Sequence, residues 1–150
     1  MPLAANDRKP TPKPQPLRRA APLSWQPGLW RLPLFEHAAV LAGITDRTLS
    51  TDRIEQTLSF ARAVVSADQV HGASLAAIES SSPSSVPIPG CDGLASSQSG
   101  LALVVRSADC LPLFAWDPVR RVIALAHVGW RGLARHLPIR LVTFLHTLYH

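Results

Sequence analysis

Three short apolar runs in the second half of the chain constrain its fold more than any other feature of the sequence. They cover residues 101–105, 111–116 and 122–126, and polar residues separate them. Continuous apolar runs of this length, bounded by turn signals, are typical of buried strands. Asp117-Pro118-Val119-Arg120 lies between the last two runs and predicts a turn with proline at its second position.

Two further segments predict helices. After Gly132, apolar side chains recur at helical spacing, at Leu133, Leu137, Leu141, Phe144, Leu145 and Leu148. Pro138 either interrupts this helix or begins it. Residues 52–65 predict another helix, because Asp52 and Glu55 resemble a capping box and apolar residues share one face. Strands and helices alternate, so we expect an α/β or α+β fold with a mixed β-sheet core flanked by helices.

The first 30 residues differ from the rest of the chain in composition. They are rich in proline and basic residues, which predicts a disordered leader over residues 1–30 and a domain over residues 31–150. Residues 1–31 hold six basic side chains and one acidic one, which leaves nine of each in residues 32–150. The net charge of +5 therefore lies in residues 1–31, almost all of it in the leader. A neutral body argues against nucleic-acid binding.

The apolar content and the cysteine count limit the setting of the chain. No stretch approaches the roughly 20 apolar residues of a membrane-spanning helix, so no membrane association is expected. Two cysteines, Cys91 and Cys110, do not make a disulfide framework. A reducing, cytoplasmic location follows as the expectation.

Two candidate metal ligands lie at the ends of adjacent predicted strands. Cys110 immediately precedes the run 111–116, and His127 immediately follows the run 122–126. If these strands form a hairpin, both residues lie at the same end of the sheet, and His71 can complete a site from a loop. Histidine and thiolate are favoured zinc ligands, and three protein ligands leave the open position of a catalytic site. Spacing alone also allows a structural histidine and a buried packing cysteine.

Four short motifs carry a family resemblance, and they occur in a fixed order along residues 68–137. They are Gln69-Val70-His71-Gly72, Cys91-Asp92-Gly93, Ser107-Ala108-Asp109-Cys110-Leu111-Pro112 and His127-Val128-Gly129-Trp130-Arg131-Gly132. Together they resemble the polyphenol-oxidase (laccase)-like family. Its members are regarded as zinc-dependent purine nucleoside phosphorylases, and a peptidoglycan-editing role is attached to some of them.

The resemblance implies a metal site and an activity. It maps the family's zinc ligands onto His71, Cys110 and His127. The implied reaction is the cleavage of adenosine, inosine or guanosine with phosphate, giving the base and ribose 1-phosphate. Adenosine deamination and methylthioadenosine phosphorolysis are implied as further activities. Purine nucleosides and phosphate are then the partners.

Two residues beside the implied ligands are candidates for catalysis. Asp109 can orient a ligand imidazole or act as a general base, or it can serve only as a turn residue. Arg131 can hold phosphate, or it can pair with a carboxylate near the last helix. Gly129 and Gly132 are interpreted as residues of a tight turn between strand and helix, and Trp130 as a core or pocket residue.

The chain also departs from the family pattern. Family members continue through a Gly-Pro-x-Ile-Gly segment after the long helix, so a C-terminally truncated, partial domain is expected over residues 31–150. One alternative function is a copper-dependent (Cu²⁺) polyphenol oxidase, but a multicopper enzyme needs more histidine ligands than the six histidines of this chain provide. The other alternative is a catalytically inactive remnant that keeps the metal site.

Overall fold

The computed structural model describes residues 23–26, 28–33, 35, 40–49, 53, 56, 58, 61–79 and 86–149. Within them the strands are β1 Leu23–Gln26, β2 Leu29–Arg31, β3 Gly43–Thr45, β4 Ala63–Ser66, β5 Leu75–Ala77, β6 Gly93–Ser96, β7 Leu101–Val104, β8 Leu111–Asp117 and β9 Val122–Val128. Two helices follow the strands, α1 Trp130–Ala134 and α2 Leu137–Leu148. No helix of the described part is long and apolar enough to cross a membrane.

The three apolar runs form β7, β8 and β9, as the sequence predicts. Strands β8 and β9 pair antiparallel over their whole length, from Leu111 opposite Val128 to Asp117 opposite Val122. The turn between them is stabilised by the Asp117 carboxylate, whose Oδ1 accepts the N–H groups of Val119 at 2.8 Å and Arg120 at 3.0 Å. This side chain supplies the acceptor that turn residues of its type commonly provide. The predicted hairpin is therefore confirmed.

A four-stranded mixed sheet with the order β5-β6-β9-β8 is the centre of the fold. Alternate residues of β9, such as Val122 and Ala124, are buried in one core cluster with Leu137 and Leu141 of α2. The opposite face packs through Leu94 of β6 onto the parallel pair β4–β7. Side chains alternate between the two faces of a strand, so β6 and β9 separate the two clusters.

Of the two predicted roles of Pro138, interrupting the last helix or beginning it, the structure shows the second, because α2 begins at Leu137. His136 adopts φ 59°, a left-handed conformation that ends α1, and Pro138 stands in the first turn of α2. Proline fits that position because the first helical N–H groups have no acceptor within the helix. Leu137 and Leu141 are 0% and 1% exposed and fix the helix to the sheet. The fold is α+β, the second of the two expected classes, with the mixed sheet that the sequence predicts.

The helix predicted over residues 52–65 is wrong at its C-terminal end. Arg53 and Gln56 are helical, but residues 63–66 form β4, and the other residues of the segment up to 60 lie mostly outside the described part. Ala63 and Val65 are buried while Val64 between them is exposed. This is the period of a strand, and pairing with β7 satisfies its backbone groups. Residues four apart, such as Ala61 and Val65, share a face in a helix and also in a strand. Their spacing therefore did not distinguish the two.

The predicted leader lies outside the described residues as far as residue 22. Its last part contributes β1 and β2, which form an antiparallel three-stranded sheet with β3. The boundary between residues 30 and 31 stays a prediction.

Candidate metal centre

Two loops and one strand bring the three predicted ligands together. His71 follows β4 and Cys110 follows β7, and these two strands are parallel, so their carboxyl ends lie at the same edge. His127 lies near the end of β9, opposite Pro112 of β8, and Cys110 directly precedes β8. Crevices outside the carboxyl ends of parallel strands are common ligand sites.

The ligand atoms of His71, Cys110 and His127 all lie within 4.8 Å of one another. The two imidazole rings stand edge to face, with their centroids 4.8 Å apart and an angle of 85° between planes. His127 is 3% exposed, Cys110 is half-buried and His71 is exposed. The cluster is thus anchored in the core on one side and open to solvent on the other.

Two imidazoles and one thiolate are a fitting donor set for a divalent transition metal. Zinc binds histidine nitrogen at about 2.0–2.1 Å and thiolate sulfur at about 2.3 Å. An ion at those distances would draw the three donor atoms closer than their present upper separation of 4.8 Å.

A buried carboxylate, that of Asp92, contacts both histidines. Asp92 is 0% exposed. Its Oδ1 lies 3.2 Å from Nδ1 of His127 and accepts the backbone N–H of His71 at 2.8 Å. Its Oδ2 accepts the N–H of Gly72 at 2.7 Å, and its carbonyl oxygen accepts the N–H of His127 at 2.7 Å. The sequence placed Asp92 in a motif but assigned it no role, and it offered Asp109 as a residue that orients a ligand imidazole, acts as a general base or serves only in a turn.

The segment that carries His71 has an unusual backbone. Gln69 and His71 adopt φ 64° and 59°, in the left-handed region. For residues other than glycine this region costs about 1–2 kcal/mol each. Such conformations persist where the surroundings hold them, and here the Asp92 carboxylate binds the N–H groups of His71 and Gly72.

The side chain of Gln69 ties this segment to the loop before Cys110. Its Nε2 donates to the carbonyl oxygen of Arg106 at 2.5 Å, and its Oε1 accepts the N–H of Arg106 at 2.7 Å. Further along the same loop, the Ser107 hydroxyl donates to the carbonyl oxygen of Cys110. A cavity of about 380 Å³ borders the contact between Gln69 and Arg106, which puts a space of ligand size beside the two loops.

Two glycines next to His127 are required by close approach. A Cβ on Gly129 would lie 3.0 Å from Sγ of Cys110 and 3.5 Å from Cδ2 of His71. A Cβ on Gly132 would lie 2.9 Å from the carbonyl oxygen of Gly72. Gly129 has φ −81° and ψ 173°, a conformation open to any residue. Its role in the turn is therefore to leave room for the thiol and not to provide conformational freedom.

The two catalytic candidates both have exposed side chains. Asp109 is exposed and adjoins Cys110 in the chain. Arg131 is exposed in α1, with its guanidinium 5.2 Å from the centre of the Trp130 ring. Trp130 is 75% exposed, so it is not a core residue, and its interpretation as a pocket residue stays a prediction. It directly precedes Arg131 in a short surface helix, where its ring stacks with a cation.

The second cysteine lies outside the cluster. Cys91 is 3% exposed, and its Sγ donates to the carbonyl oxygen of Ile88 at 3.3 Å. Desolvation by burial raises the pKa of this thiol. Cys91 is therefore a buried neutral side chain, and Cys110 is the thiol available to a metal.

Sequence comparisons relate the chain to named phosphorylases. The sequence model of the family described as multi-copper polyphenol oxidoreductase laccase matches residues 48–149. Purine nucleoside phosphorylase YlmD of Geobacillus stearothermophilus is 31% identical over 113 residues, which cover 71% of this chain and 41% of that protein. Purine nucleoside phosphorylase SCO2081 of Streptomyces coelicolor is 43% identical over 70 residues, which cover 47% of this chain and 28% of that protein.

Solved structures agree with these matches. The crystal structure of YlmD from Geobacillus stearothermophilus superposes with a TM-score of 0.56 at 32% identity, over 63% of this chain and 38% of that chain. The hypothetical protein YfiH of Bacillus licheniformis superposes with a TM-score of 0.65 at 21% identity, over 80% of this chain and 56% of that chain, which supports the fold. The chain spans less than half the length of the two phosphorylases. The family match covers more than half of the 150 residues, which confirms the resemblance seen in the motifs, and the chain belongs to the family described as multi-copper polyphenol oxidoreductase laccase.

Proposed function

We propose that the chain is a zinc-dependent purine nucleoside phosphorylase. It would cleave adenosine, inosine or guanosine with phosphate to the free base and ribose 1-phosphate. Adenosine deamination and methylthioadenosine phosphorolysis are proposed as further activities of the same site. The observation that carries the proposal is the cluster of His71, Cys110 and His127, open to solvent on one side, in a chain similar to proteins named purine nucleoside phosphorylases.

Zinc is the ion proposed for this cluster, held by Nε2 of His127, a ring nitrogen of His71 and Sγ of Cys110. Three protein ligands and one open position are the arrangement of catalytic zinc sites. Bound there, zinc would polarise a phosphate oxygen or lower the pKa of a water molecule to about 7. The Cys110 thiol must stay reduced to bind the ion, which supports a reducing, cytoplasmic location.

The chain's own residues are proposed to bind the anionic reactant and to move a proton. Arg131 presents its guanidinium at the solvent side of α1, where its planar donors suit phosphate. Its stacking on Trp130 leaves the edge of the guanidinium free to donate hydrogen bonds. Asp109 is proposed as the general base, because it is exposed beside Cys110 while Asp92 provides the contact with the ring of His127.

Copper chemistry is the first alternative. Two histidines and one cysteine are also the equatorial ligands of blue-copper sites, and the family description itself names copper. Against it, the chain has only six histidines, too few for a multicopper oxidase. The second alternative is an inactive remnant that binds the metal, since the chain spans 41% of YlmD.

The experiment that tests the proposal combines metal analysis with a turnover assay. The purified chain, Cys110→Ala and the matched control Cys91→Ala would be compared for zinc and copper content and for phosphate-dependent release of adenine from adenosine. We expect about one zinc ion per chain, retained in Cys91→Ala and lost in Cys110→Ala, with adenine release that follows the zinc. Copper at that stoichiometry with a strong visible absorption would favour the oxidase. Zinc without adenine release would favour the inactive remnant. A folded chain without metal would refute both the zinc-dependent phosphorylase and the metal-binding remnant.

A further inference from the structure

We infer that Asp92 is a positioning residue of the metal centre, whose one carboxylate fixes the ring of His127 and the backbone of His71 at the same time. This inference rests on the proposed metal site, but not on the proposed reaction. It assigns to Asp92 a role that the sequence had offered to Asp109.

The first part of the argument concerns the protonation pattern of His127. An ionised carboxylate only accepts hydrogen bonds, so we assign a hydrogen to Nδ1 of His127, which lies 3.2 Å from Oδ1 of Asp92. A neutral imidazole with its hydrogen on Nδ1 has its lone pair on Nε2. Nε2 is then the atom that can bind a metal ion. The backbone N–H of His127 also donates to the Asp92 carbonyl at 2.7 Å, which fixes the strand beneath the ring.

The second part concerns His71, which lies on an exposed loop in a left-handed conformation. The consecutive N–H groups of His71 and Gly72 point at the two oxygens of Asp92, at 2.8 and 2.7 Å. Consecutive N–H groups in such a turn form a concave site for an anion. Asp92 occupies that site from the core side, so it sets the position of a ligand that the loop alone would leave variable.

A carboxylate, rather than a neutral side chain of the same shape, is required for all three contacts. The three groups that face it, two backbone N–H groups and Nδ1 of His127, are all donors in the metal-binding arrangement. An asparagine would face one of them with an amide N–H₂, which also donates. If that amide faced His127, the ring would carry its hydrogen on Nε2 and lose the lone pair needed for the metal.

The first test needs no variant. Two-bond ¹H–¹⁵N correlation spectra of the metal-free chain would be recorded at mildly alkaline pH, where an unperturbed imidazole is neutral. His127 would be identified by the signals missing from His127→Asn. The expected result is a hydrogen on Nδ1 and a bare Nε2 for His127. A hydrogen on Nε2 would overturn the inference.

The second test measures metal affinity in Asp92→Asn by competition with a chromophoric chelator, using zinc and cobalt. Removal of such an outer hydrogen bond typically weakens metal binding by about 10–100-fold, and we expect a loss in that range. Asp117→Asn is the matched control, because Asp117 also accepts two backbone N–H groups but lies in the β8–β9 turn. We expect its affinity to equal that of the wild type.

The outcomes separate this inference from the proposed function. A folded Asp92→Asn protein that binds zinc as tightly as the wild type would overturn the inference, whatever the chain catalyses. Weakened zinc binding, together with a hydrogen on Nε2 of His127 in the variant, would support it even if no nucleoside is cleaved. If circular dichroism shows that Asp92→Asn is unfolded, the ¹H–¹⁵N spectrum of the wild-type chain tests the inference by itself: a hydrogen on Nδ1 of His127 supports it and one on Nε2 overturns it.

Discussion

The replacement of Gly129 by alanine tests whether the metal centre depends on the close approach of β9 to Cys110. The added Cβ would lie 3.0 Å from Sγ of Cys110. This contact is tighter than ordinary van der Waals contact, so the sulfur must move by a few tenths of an ångström. In the metal-free chain the thiol can rotate away from the methyl group. In the metal-bound chain it cannot, because the bond to zinc fixes it.

The size of the effect follows from how little a metal ligand can move. Plausible metal–ligand distances hold to about ±0.2 Å, which is less than the displacement required. We expect Gly129→Ala to weaken zinc binding by about 10–100-fold, the range found when residues that support metal ligands are altered. This corresponds to about 1.4–2.8 kcal/mol. The backbone conformation of Gly129 suits alanine, so the free energy of unfolding of the metal-free chain should change by less than about 1 kcal/mol.

The assay is chelator competition for zinc beside urea unfolding of the metal-free protein. Gly100→Ala is the matched control, since Gly100 has φ +80° and a Cβ there would meet the side chain of Arg62. That variant should lose about 1–2 kcal/mol of stability and bind zinc normally. Gly129→Ala should show the opposite pattern. Wild-type zinc affinity in Gly129→Ala would refute the argument that Gly129 is required for space.

Three further predictions concern groups around the site and the hairpin. In the metal-free chain, iodoacetamide should modify Cys110 before Cys91, because Cys91 is buried and desolvation raises its pKa; zinc should protect Cys110, as measured by mass spectrometry. Gln69→Glu removes the donor to the Arg106 carbonyl and sets a carboxylate against it, which should lower the free energy of unfolding, measured in urea, by about 0.5–1.5 kcal/mol. A variant as stable as the wild type would contradict that role. The backbone N–H of Arg120 lowers the pKa of Asp117, so this carboxylate contributes stability above its unfolded pKa of about 3.9. That contribution is lost as the pH falls through the lower pKa of the folded state. The melting temperatures of the wild type and Asp117→Ala should therefore converge at low pH. A difference that does not change with pH would contradict this role of the Asp117 carboxylate.

The hairpin and the positions of its two candidate ligands could be predicted from sequence because every step is local. Two apolar runs and the turn at Asp117 and Pro118 specify antiparallel pairing. That pairing alone places Cys110 beside His127, and the observed register confirms it. His71 could not be placed in this way, because its position depends on the parallel pairing of β4 with β7. For His71 the family resemblance supplied what the local pattern lacked.

Asp92 was missed because its partners are distant in the sequence. The contact with His127 spans 35 residues and the contact with His71 spans 21. An acidic residue is rarely fully buried, so the residue type gave no reason to place Asp92 in the core. The motif Cys91-Asp92-Gly93 was the one available signal, since it places an acid directly before a buried strand. The error at residues 63–65 has a similar origin, because only the neighbouring β7 shows that β4 is a strand.

The metal binding and the turnover that we propose are separable, because they would depend on different parts of the chain. The three ligands, the Asp92 carboxylate and the Gln69 contact all lie between residues 69 and 127, inside the region that matches the family. These groups contact one another through hydrogen bonds and strand pairing within the described residues. A nucleoside pocket needs additional walls, and the chain spans only 41% of YlmD. Zinc affinity therefore tests the site itself, whereas phosphorolysis also tests whether this length of chain completes a pocket around it.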